Sequence, residues 1–231
     1  ITFEKYRGEL TVGGIAGRTD GSVNGCLNEG RITVEVTESG SVSGGGITGD
    51  CNGKNIRITG CINRGKLSGN STSYKTEGIS LAGIVGTNFS GSTINNCLNE
   101  GEVNVRFSSS QTVYSPFSAA GITTSNYGLV INSGNTGRIA VQSDMKATVG
   151  GISSHNSGSI VNSYNIGAIA CNGRKGQTFY NNGGGITGVF QYSTIGITPL
   201  IYGCYNSGTV SSTGSEEQIG SIAGDASYLI D

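Results

Sequence analysis

The stretch Cys97-Leu98-Asn99-Glu100-Gly101-Glu102-Val103 decides the fold, because versions of it recur from one end of the chain to the other. Its nearest copy, Cys26–Ile32, reads Cys-Leu-Asn-Glu-Gly-Arg-Ile. The further copies begin at Cys61, Ser133, Ser163 and Cys204. All follow one rule: Cys or Ser, any residue, Asn, any residue, Gly, any residue, and then an aliphatic residue. The sequence is therefore that of a repeat protein.

A second short segment, Gly-Gly-Ile or a close variant, occurs once in each repeat. The central isoleucines of these segments are Ile15, Ile47, Ile84, Ile122, Ile152, Ile186 and Ile222. Successive isoleucines are 30 to 38 residues apart, which is typical of solenoids, propellers and other repeat arrays. We expect residues 1–231 to form a single domain, cut from a longer array with half a repeat at each end.

The repeat is suited to short strands and turns. Its apolar runs are short and rich in β-branched residues, and Gly, Asn and Ser interrupt them every few positions, so no amphipathic helix fits. The sequence predicts an all-β fold, a parallel β-solenoid of about seven Gly-rich coils, with handedness open. A propeller is the structural alternative, but its blades need longer antiparallel strands and more aromatic packing.

In a solenoid, equivalent positions of successive repeats stack into columns. The Asn column predicts a ladder of hydrogen-bonded amides, and the Gly two residues later predicts a corner with positive φ. Glu29, Arg64 and Glu100 alternate in sign on consecutive repeats, which favours this register. The column consists of Asn28, Asn63, Asn99, Asn135, Asn165 and Asn206.

The six cysteines permit two interpretations. An even number in a small secreted chain suggests disulfides. However, Cys26, Cys61, Cys97 and Cys204 occupy one slot of the repeat, and Ser replaces Cys in the other two copies, as expected for a column of small buried side chains. We expect free thiols, with Cys51 and Cys61 the first pair to suspect if a disulfide forms.

Charge argues against two classes of partner. The net charge is −1 and Lys and Arg are scattered, so we expect neither nucleic-acid nor membrane-surface binding. The chain also lacks an apolar run of 18 residues, so we expect no membrane insertion by this segment.

The Gly-Gly-Ile segment followed by Asn-Cys-Leu-Asn-x-Gly-x-Val, as at Ala82–Gly86 and Asn96–Val103, resembles the GLUG motif. That motif occurs in bacterial surface and secreted proteins, including adhesin-like proteins and the non-catalytic region of M26-type IgA-specific metallopeptidases. The resemblance covers essentially all 231 residues. It implies an extracellular or cell-surface location and neighbouring domains in a longer parent chain.

The residues offer little for catalysis. A zincin needs two histidines, and the chain has only His155, which we interpret as a solvated turn residue. The carboxylates are spread over different phases of the repeat, unlike a glycosidase pair. No cofactor, metal or catalytic residue is predicted. A carbohydrate-active β-helix enzyme is the alternative.

Binding residues are expected on the longer insertions, which share one phase of the repeat and should line one edge. Aromatic rings there could stack on sugars or anchor a protein, or they could fold inward over the apolar interior. The candidates are Tyr74, Lys75, Tyr114, Phe117, Arg174, Lys175, Phe179 and Tyr180. We predict a non-enzymatic, rigid spacer or adhesive surface for host or matrix glycans or proteins; an accessory substrate-binding domain of a surface protease is a further alternative.

Overall fold

The computed structural model describes residues 1–3, 8–53, 55–109, 117–173, 181–191, 198–214 and 217–226. These residues form strands joined by turns, and every strand pair between neighbouring repeats is parallel. The chain visits five sheets in a fixed order, which we label B, C, D, E and A, before it begins the next turn. The predicted parallel β-solenoid is confirmed.

The strands group as follows. Sheet A contains Thr2–Phe3, Ile32–Val36, Leu67–Ser71, Val103–Phe107, Ile139–Ser143, Ile169–Gly173 and Val210–Thr213. Sheet B contains Gly8–Gly13, Gly40–Gly45, Thr76–Ala82, Phe117–Ala120, Ala147–Gly150, Asn181–Gly184 and Glu217–Gly220. Sheet C contains Ala16–Thr19, Thr48–Cys51, Val85–Asn88, Thr123–Asn126, Ser153–Asn156, Thr187–Phe190 and Ala223–Asp225.

The two remaining sheets are built from shorter strands. Sheet D contains Val23–Asn24, Arg57–Thr59, Thr93–Asn95, Leu129–Ile131, Ser159–Val161 and Leu200–Tyr202. Sheet E contains Leu27–Asn28, Ile62–Asn63, Leu98–Asn99, Gly134–Asn135, Tyr164–Asn165 and Tyr205–Asn206. Within the described residues the five-strand set recurs six times, with a partial set at each end, so the predicted count of about seven coils is slightly too high.

Apolar columns fill the interior, as the sequence predicts. One cluster lies between sheets A and B and includes Val34, Val105 and Val141. The other contains the central isoleucines of the Gly-Gly-Ile segments, of which Ile47, Ile84, Ile122, Ile152 and Ile186 are fully buried. Stacking identical side chains removes each from water on both sides, so burial requires a neighbouring coil above and below.

The Asn column forms the predicted ladder inside the solenoid. Each Asn Nδ2 donates to the Asn Oδ1 of the next coil at 2.7–2.8 Å, from Asn28 through to Asn206. The same Nδ2 donates to the carbonyl oxygen two residues on, as Asn99 does to Gly101 at 2.9 Å. The amides are thereby satisfied away from water, which buried polar groups require.

The corner glycines that follow these asparagines differ from the prediction, because their φ is not positive. A Cβ on Gly65, Gly101, Gly137, Gly167 or Gly208 would instead collide with the carbonyl oxygen of the equivalent glycine one coil earlier. The second Gly of each Gly-Gly-Ile segment meets the ladder in a similar way, since a Cβ on Gly83 would strike the Asn99 side chain. Close packing therefore requires glycine at both positions. Because the second Gly of the Gly-Gly-Ile segment packs against the ladder Asn of the same repeat, this contact links the two halves of the repeat.

Positive φ occurs one residue before the Cys or Ser slot, where the chain turns from sheet D into sheet E. Only Gly and Asn occupy this column, as expected for the left-handed region. Its members are Gly25, Gly60, Asn96, Asn132, Asn162 and Gly203, with φ from 48° to 63°.

A second amide ladder, which the sequence analysis missed, lies at the end of sheet C. Asn88 Nδ2 donates to Asn126 Oδ1 at 2.8 Å, and Asn126 Nδ2 donates to Asn156 Oδ1 at 2.7 Å. The ladder ends on both sides, because strand pairing aligns Asn88 with Cys51 and Asn156 with Phe190, and neither of these neighbours carries an amide. With only three members, the column gives too weak a sequence pattern to stand out.

Charged columns run along the surface next to sheet E. Arg64 lies between Glu29 (3.6 Å) and Glu100 (2.6 Å), which confirms the alternation read from the sequence. Lys66 and Arg138 both pair with Glu102, at 2.6 and 3.4 Å. Solvent screens such exposed pairs, so they support register more than stability.

Candidate functional site

The longer insertions share one phase, as predicted: they join sheet A to sheet B. In the described part of this edge, Tyr74 is 51% exposed and the Lys75 ammonium lies 5.5 Å from the centre of its ring. An aromatic ring exposed to this extent can pack against a ligand. Tyr74 and Lys75 therefore remain candidate binding residues.

Phe117 is the candidate whose ring folds inward, which was the second of the two predicted alternatives. It is fully buried in sheet B, and its ring stacks on Phe107 of sheet A with centroids 4.2 Å apart. The ring points into the cluster between the two sheets because apolar burial outweighs exposure at this strand position. The other candidates, Tyr114, Arg174, Lys175, Phe179 and Tyr180, lie outside the described residues.

The outward face of sheet A carries a run of three adjoining depressions, which we name the sheet A groove. The first, of about 280 Å³, is lined by Arg31, Lys66 and Arg106 with Thr33, Ser68, Asn70 and Asn104. The second, of about 300 Å³, shares Asn70 and Arg106 with the first. The third, of about 390 Å³, shares Gln142 and Asp144 with the second and extends to Asn172 and Thr213.

Strand register explains the groove. Pairing places Asn70, Arg106, Gln142, Asn172 and Thr213 in one column on successive coils. Small side chains occupy the neighbouring outward column: Thr33, Ser68, Asn104, Ala140, Ala170 and Ser211. Long side chains beside short ones leave the depressions, and with rungs about 4.8 Å apart the five steps from Arg31 to Thr213 span about 24 Å.

The groove differs from the interior ladders in its hydrogen bonding. No side-chain hydrogen bond to another described residue is made by Asn70, Asn104, Gln142 or the guanidinium groups of Arg31 and Arg106. The Asp144 carboxylate, in contrast, accepts from Ser108 Oγ at 3.0 Å and from the Ser109 amide at 3.2 Å. The groove thus presents several donors and acceptors that are available to a ligand.

A separate aromatic patch lies on sheets D and E near the last coil. Tyr164 and Tyr205 stack with ring centroids 5.5 Å apart, and the Tyr164 ring covers the backbone of Gly134. Leu200 and Tyr202, which are 47% and 67% exposed, lie on the adjacent strand. Sequence analysis missed this patch because its members take different residue types in the earlier coils.

The cysteines are free thiols, including Cys51 and Cys61. These two residues lie on different sheets, because Cys51 pairs with Asn88 in sheet C whereas Cys61 directly precedes the sheet E strand Ile62–Asn63. The buried thiol of Cys61 donates to the carbonyl oxygens of Thr59 and Val23 at 3.5 and 3.6 Å. This column therefore packs as the predicted row of small buried side chains.

We expect native-state alkylation to separate the cysteines by burial. Burial raises the pKa of the fully buried Cys51 and Cys171 to about 12, so almost no thiolate forms there at pH 8, whereas Cys26 and Cys204 are only half-buried. Iodoacetamide at pH 8 followed by peptide mass spectrometry should modify Cys26 and Cys204 and spare Cys51 and Cys171. Unfolding in urea should make all six reactive, and uniform labelling of the folded protein would contradict this assignment.

His155 lies in a sheet C strand rather than in the predicted turn, and its side chain is half-buried. Its Nδ1 is 3.4 Å from Ser154 Oγ. Burial, with a smaller effect from the Lys146 ammonium, lowers the pKa of its imidazole to about 4.

This lowered pKa predicts a pH dependence of stability. The unfolded chain takes up the proton near pH 6.5 and the folded protein only near pH 4, so the free energy of unfolding should fall as pH decreases between these values. An NMR titration of the single histidine should give a midpoint about two units below 6.5. A midpoint near 6.5 would show instead that water solvates the ring.

Among the described residues, no group of three or more His, Cys, Asp and Glu side chains is placed to hold a metal ion. The same residues contain no helix long and apolar enough to cross a bilayer.

Comparisons of this chain with models of protein families, with curated proteins and with solved structures gave no match. The parallel strands, the stacked columns and the repeated turn define its class. It is a β-solenoid repeat protein with a polar groove along one face.

Proposed function

We propose that this chain is a non-enzymatic segment of a secreted or cell-surface bacterial protein, and that it acts as a rigid spacer that carries an adhesive surface. The bacterial and extracellular parts of the proposal rest on the GLUG-like repeat. The binding part rests on the sheet A groove, whose polar side chains have few partners among the described residues.

The hydrogen bonds between successive coils support the spacer role. Each coil is joined to the next through five parallel sheets, and the amide ladder adds a side-chain hydrogen bond at every step. Bending the array would break several of these bonds at once, so the chain holds its outward columns at fixed spacing. A ligand that spans several coils therefore meets a surface that is already ordered, which lowers the entropic cost of binding.

Glycans are the ligands that the surface fits best. Sugars are recognised by amide, hydroxyl and charged side chains that pair with their hydroxyl groups, together with an aromatic ring that packs on the apolar face of the sugar. The groove supplies the first set, and Tyr74 supplies an exposed ring at the neighbouring edge.

A glycan array with the purified protein tests this proposal. We expect selective glycan binding that weakens in Tyr74→Ala and persists in Tyr202→Ala, a matched change of an exposed tyrosine on sheet D. Binding should leave the glycan chain length unchanged. Release of new reducing ends would favour a carbohydrate-active enzyme. Absence of binding across the array would remove glycan adhesion and leave a spacer or a module that recognises protein, such as the accessory domain of a surface protease.

A further inference from the structure

The first depression of the sheet A groove carries positive charge although the chain as a whole is slightly negative. Three of its lining residues are the cations Arg31, Lys66 and Arg106, and no carboxylate lines it. Lys66 is neutralised by Glu102 at 2.6 Å. The Arg31 and Arg106 guanidinium groups make no ion pair with another described residue, so their charges are available to an anion.

The nearest carboxylates in these columns do not cancel that charge. Register places Asn70 between Glu35 and Arg106, so these two side chains start two rungs apart, about 10 Å. Lys66 likewise lies between Arg31 and Glu102. At this separation exposed charges are strongly screened at physiological salt, which leaves a local excess of positive charge in the depression.

The remainder of the groove offers polar groups along its length. Its lining side chains end mainly in hydroxyl, amide and charged groups, and Phe107, the aromatic residue beside the second depression, is 2% exposed. Asp144, already held by Ser108 and Ser109, accepts hydrogen bonds and would repel a second anionic group there. The charge pattern therefore favours an anionic group at one end and sugar hydroxyls along the rest.

We infer that the sheet A groove binds an extended acidic polysaccharide, with a uronate carboxylate or a sulfate in the depression formed by Arg31, Lys66 and Arg106. Guanidinium groups hold either anion through paired, charge-assisted hydrogen bonds. The inference rests on the proposed adhesive function and specifies both the site and the class of glycan.

The test is a binding titration of the intact chain with three defined probes of equal length: an oligogalacturonate, a heparin-derived sulfated oligosaccharide and an uncharged cello-oligosaccharide. We expect at least one acidic probe to bind and to lose affinity as NaCl is raised, because salt screens the contact. The uncharged probe should bind more weakly, and the two acidic arms distinguish carboxylate from sulfate.

Site-directed variants locate the contact. Arg31→Gln and Arg106→Gln should each weaken binding of the acidic probe by roughly tenfold or more, as loss of a charged hydrogen bond predicts. Arg57→Gln is the matched control, because it removes the same exposed charge from sheet D on another face. Circular dichroism of each variant should match that of the parent protein.

The outcomes separate this inference from the proposed function. Equal loss of affinity in Arg57→Gln, or none in Arg31→Gln and Arg106→Gln, would overturn the assignment of the groove. Preference for the uncharged probe would overturn the acidic class while the adhesive function stands. If no probe binds but the array detects other glycans, the inference fails and the function survives; silence in both assays contradicts both.

Discussion

Asn99→Ala is expected to destabilise the protein by about 3–5 kcal/mol, because it interrupts the amide ladder in the middle of the array. Asn99 is fully buried, donates to Asn135 Oδ1 at 2.7 Å and to the Gly101 carbonyl at 2.9 Å, and accepts from Asn63 Nδ2 at 2.8 Å. The change leaves two or more buried polar groups without these partners, at about 1–3 kcal/mol each. Urea unfolding followed by circular dichroism should show the loss as a lower midpoint.

The isosteric variant Asn99→Asp separates the hydrogen bonds from the volume of the side chain. An ionised carboxylate would face Asn135 Oδ1 and the Gly101 carbonyl, both of which are acceptors, so burial should raise its pKa above the ordinary value near 4. Because the folded pKa is raised, this variant should lose stability as pH rises from the unfolded pKa to the folded pKa, and regain it on acidification. This pH dependence is opposite in sign to that of His155.

Asn24→Ala provides the control, since Asn24 is exposed and its side chain makes no hydrogen bond with a described residue. We expect a change below about 0.5 kcal/mol. A similar midpoint for Asn24→Ala and Asn99→Ala would contradict the structural role of the ladder.

Gly101→Ala is expected to cost about 3 kcal/mol or more, although it adds a single methyl group. The new Cβ would collide with the Gly65 carbonyl oxygen and lie 2.7 Å from Asn63 Nδ2. Neither atom can move away easily. The backbone carbonyl of Asn63 accepts from the Gly101 and Glu100 amides, and Asn63 Nδ2 belongs to the ladder and donates to the Gly65 carbonyl oxygen. Overpacking against fixed backbone is costlier than overpacking against a flexible side chain.

Gly21→Ala is the matched control for this glycine. A Cβ there meets no atom within 4 Å, and its φ lies outside the left-handed region. Alanine should be neutral or slightly stabilising because it restricts the unfolded chain. The two variants can be compared by thermal unfolding; equal melting temperatures would show that the coils can separate at the corner without penalty.

The candidate site was less predictable than the fold. Tyr74 and Lys75 are exposed on the expected edge, whereas Phe117, chosen by the same reasoning, is buried against Phe107. Sequence position alone does not distinguish the exposed Tyr74 from the buried Phe117, because an aromatic side chain beside an insertion can point either to solvent or into the core. The sheet A groove was missed since Asn70, Arg106 and Gln142 share a column but no residue type.

The sequence by itself determined the repeat, the parallel register and the buried columns. A side chain such as Asn99 or Ile84 has the same neighbours in every coil, so it recurs at the same phase and is visible without coordinates. Only the tertiary structure decided which face of the solenoid carries a groove and which charges are unpaired. It also showed that the corner glycines are required by close backbone contact and not by positive φ. Those properties depend on distances between coils, and residues such as Arg31, Lys66 and Arg106 meet only when the solenoid has closed around its core.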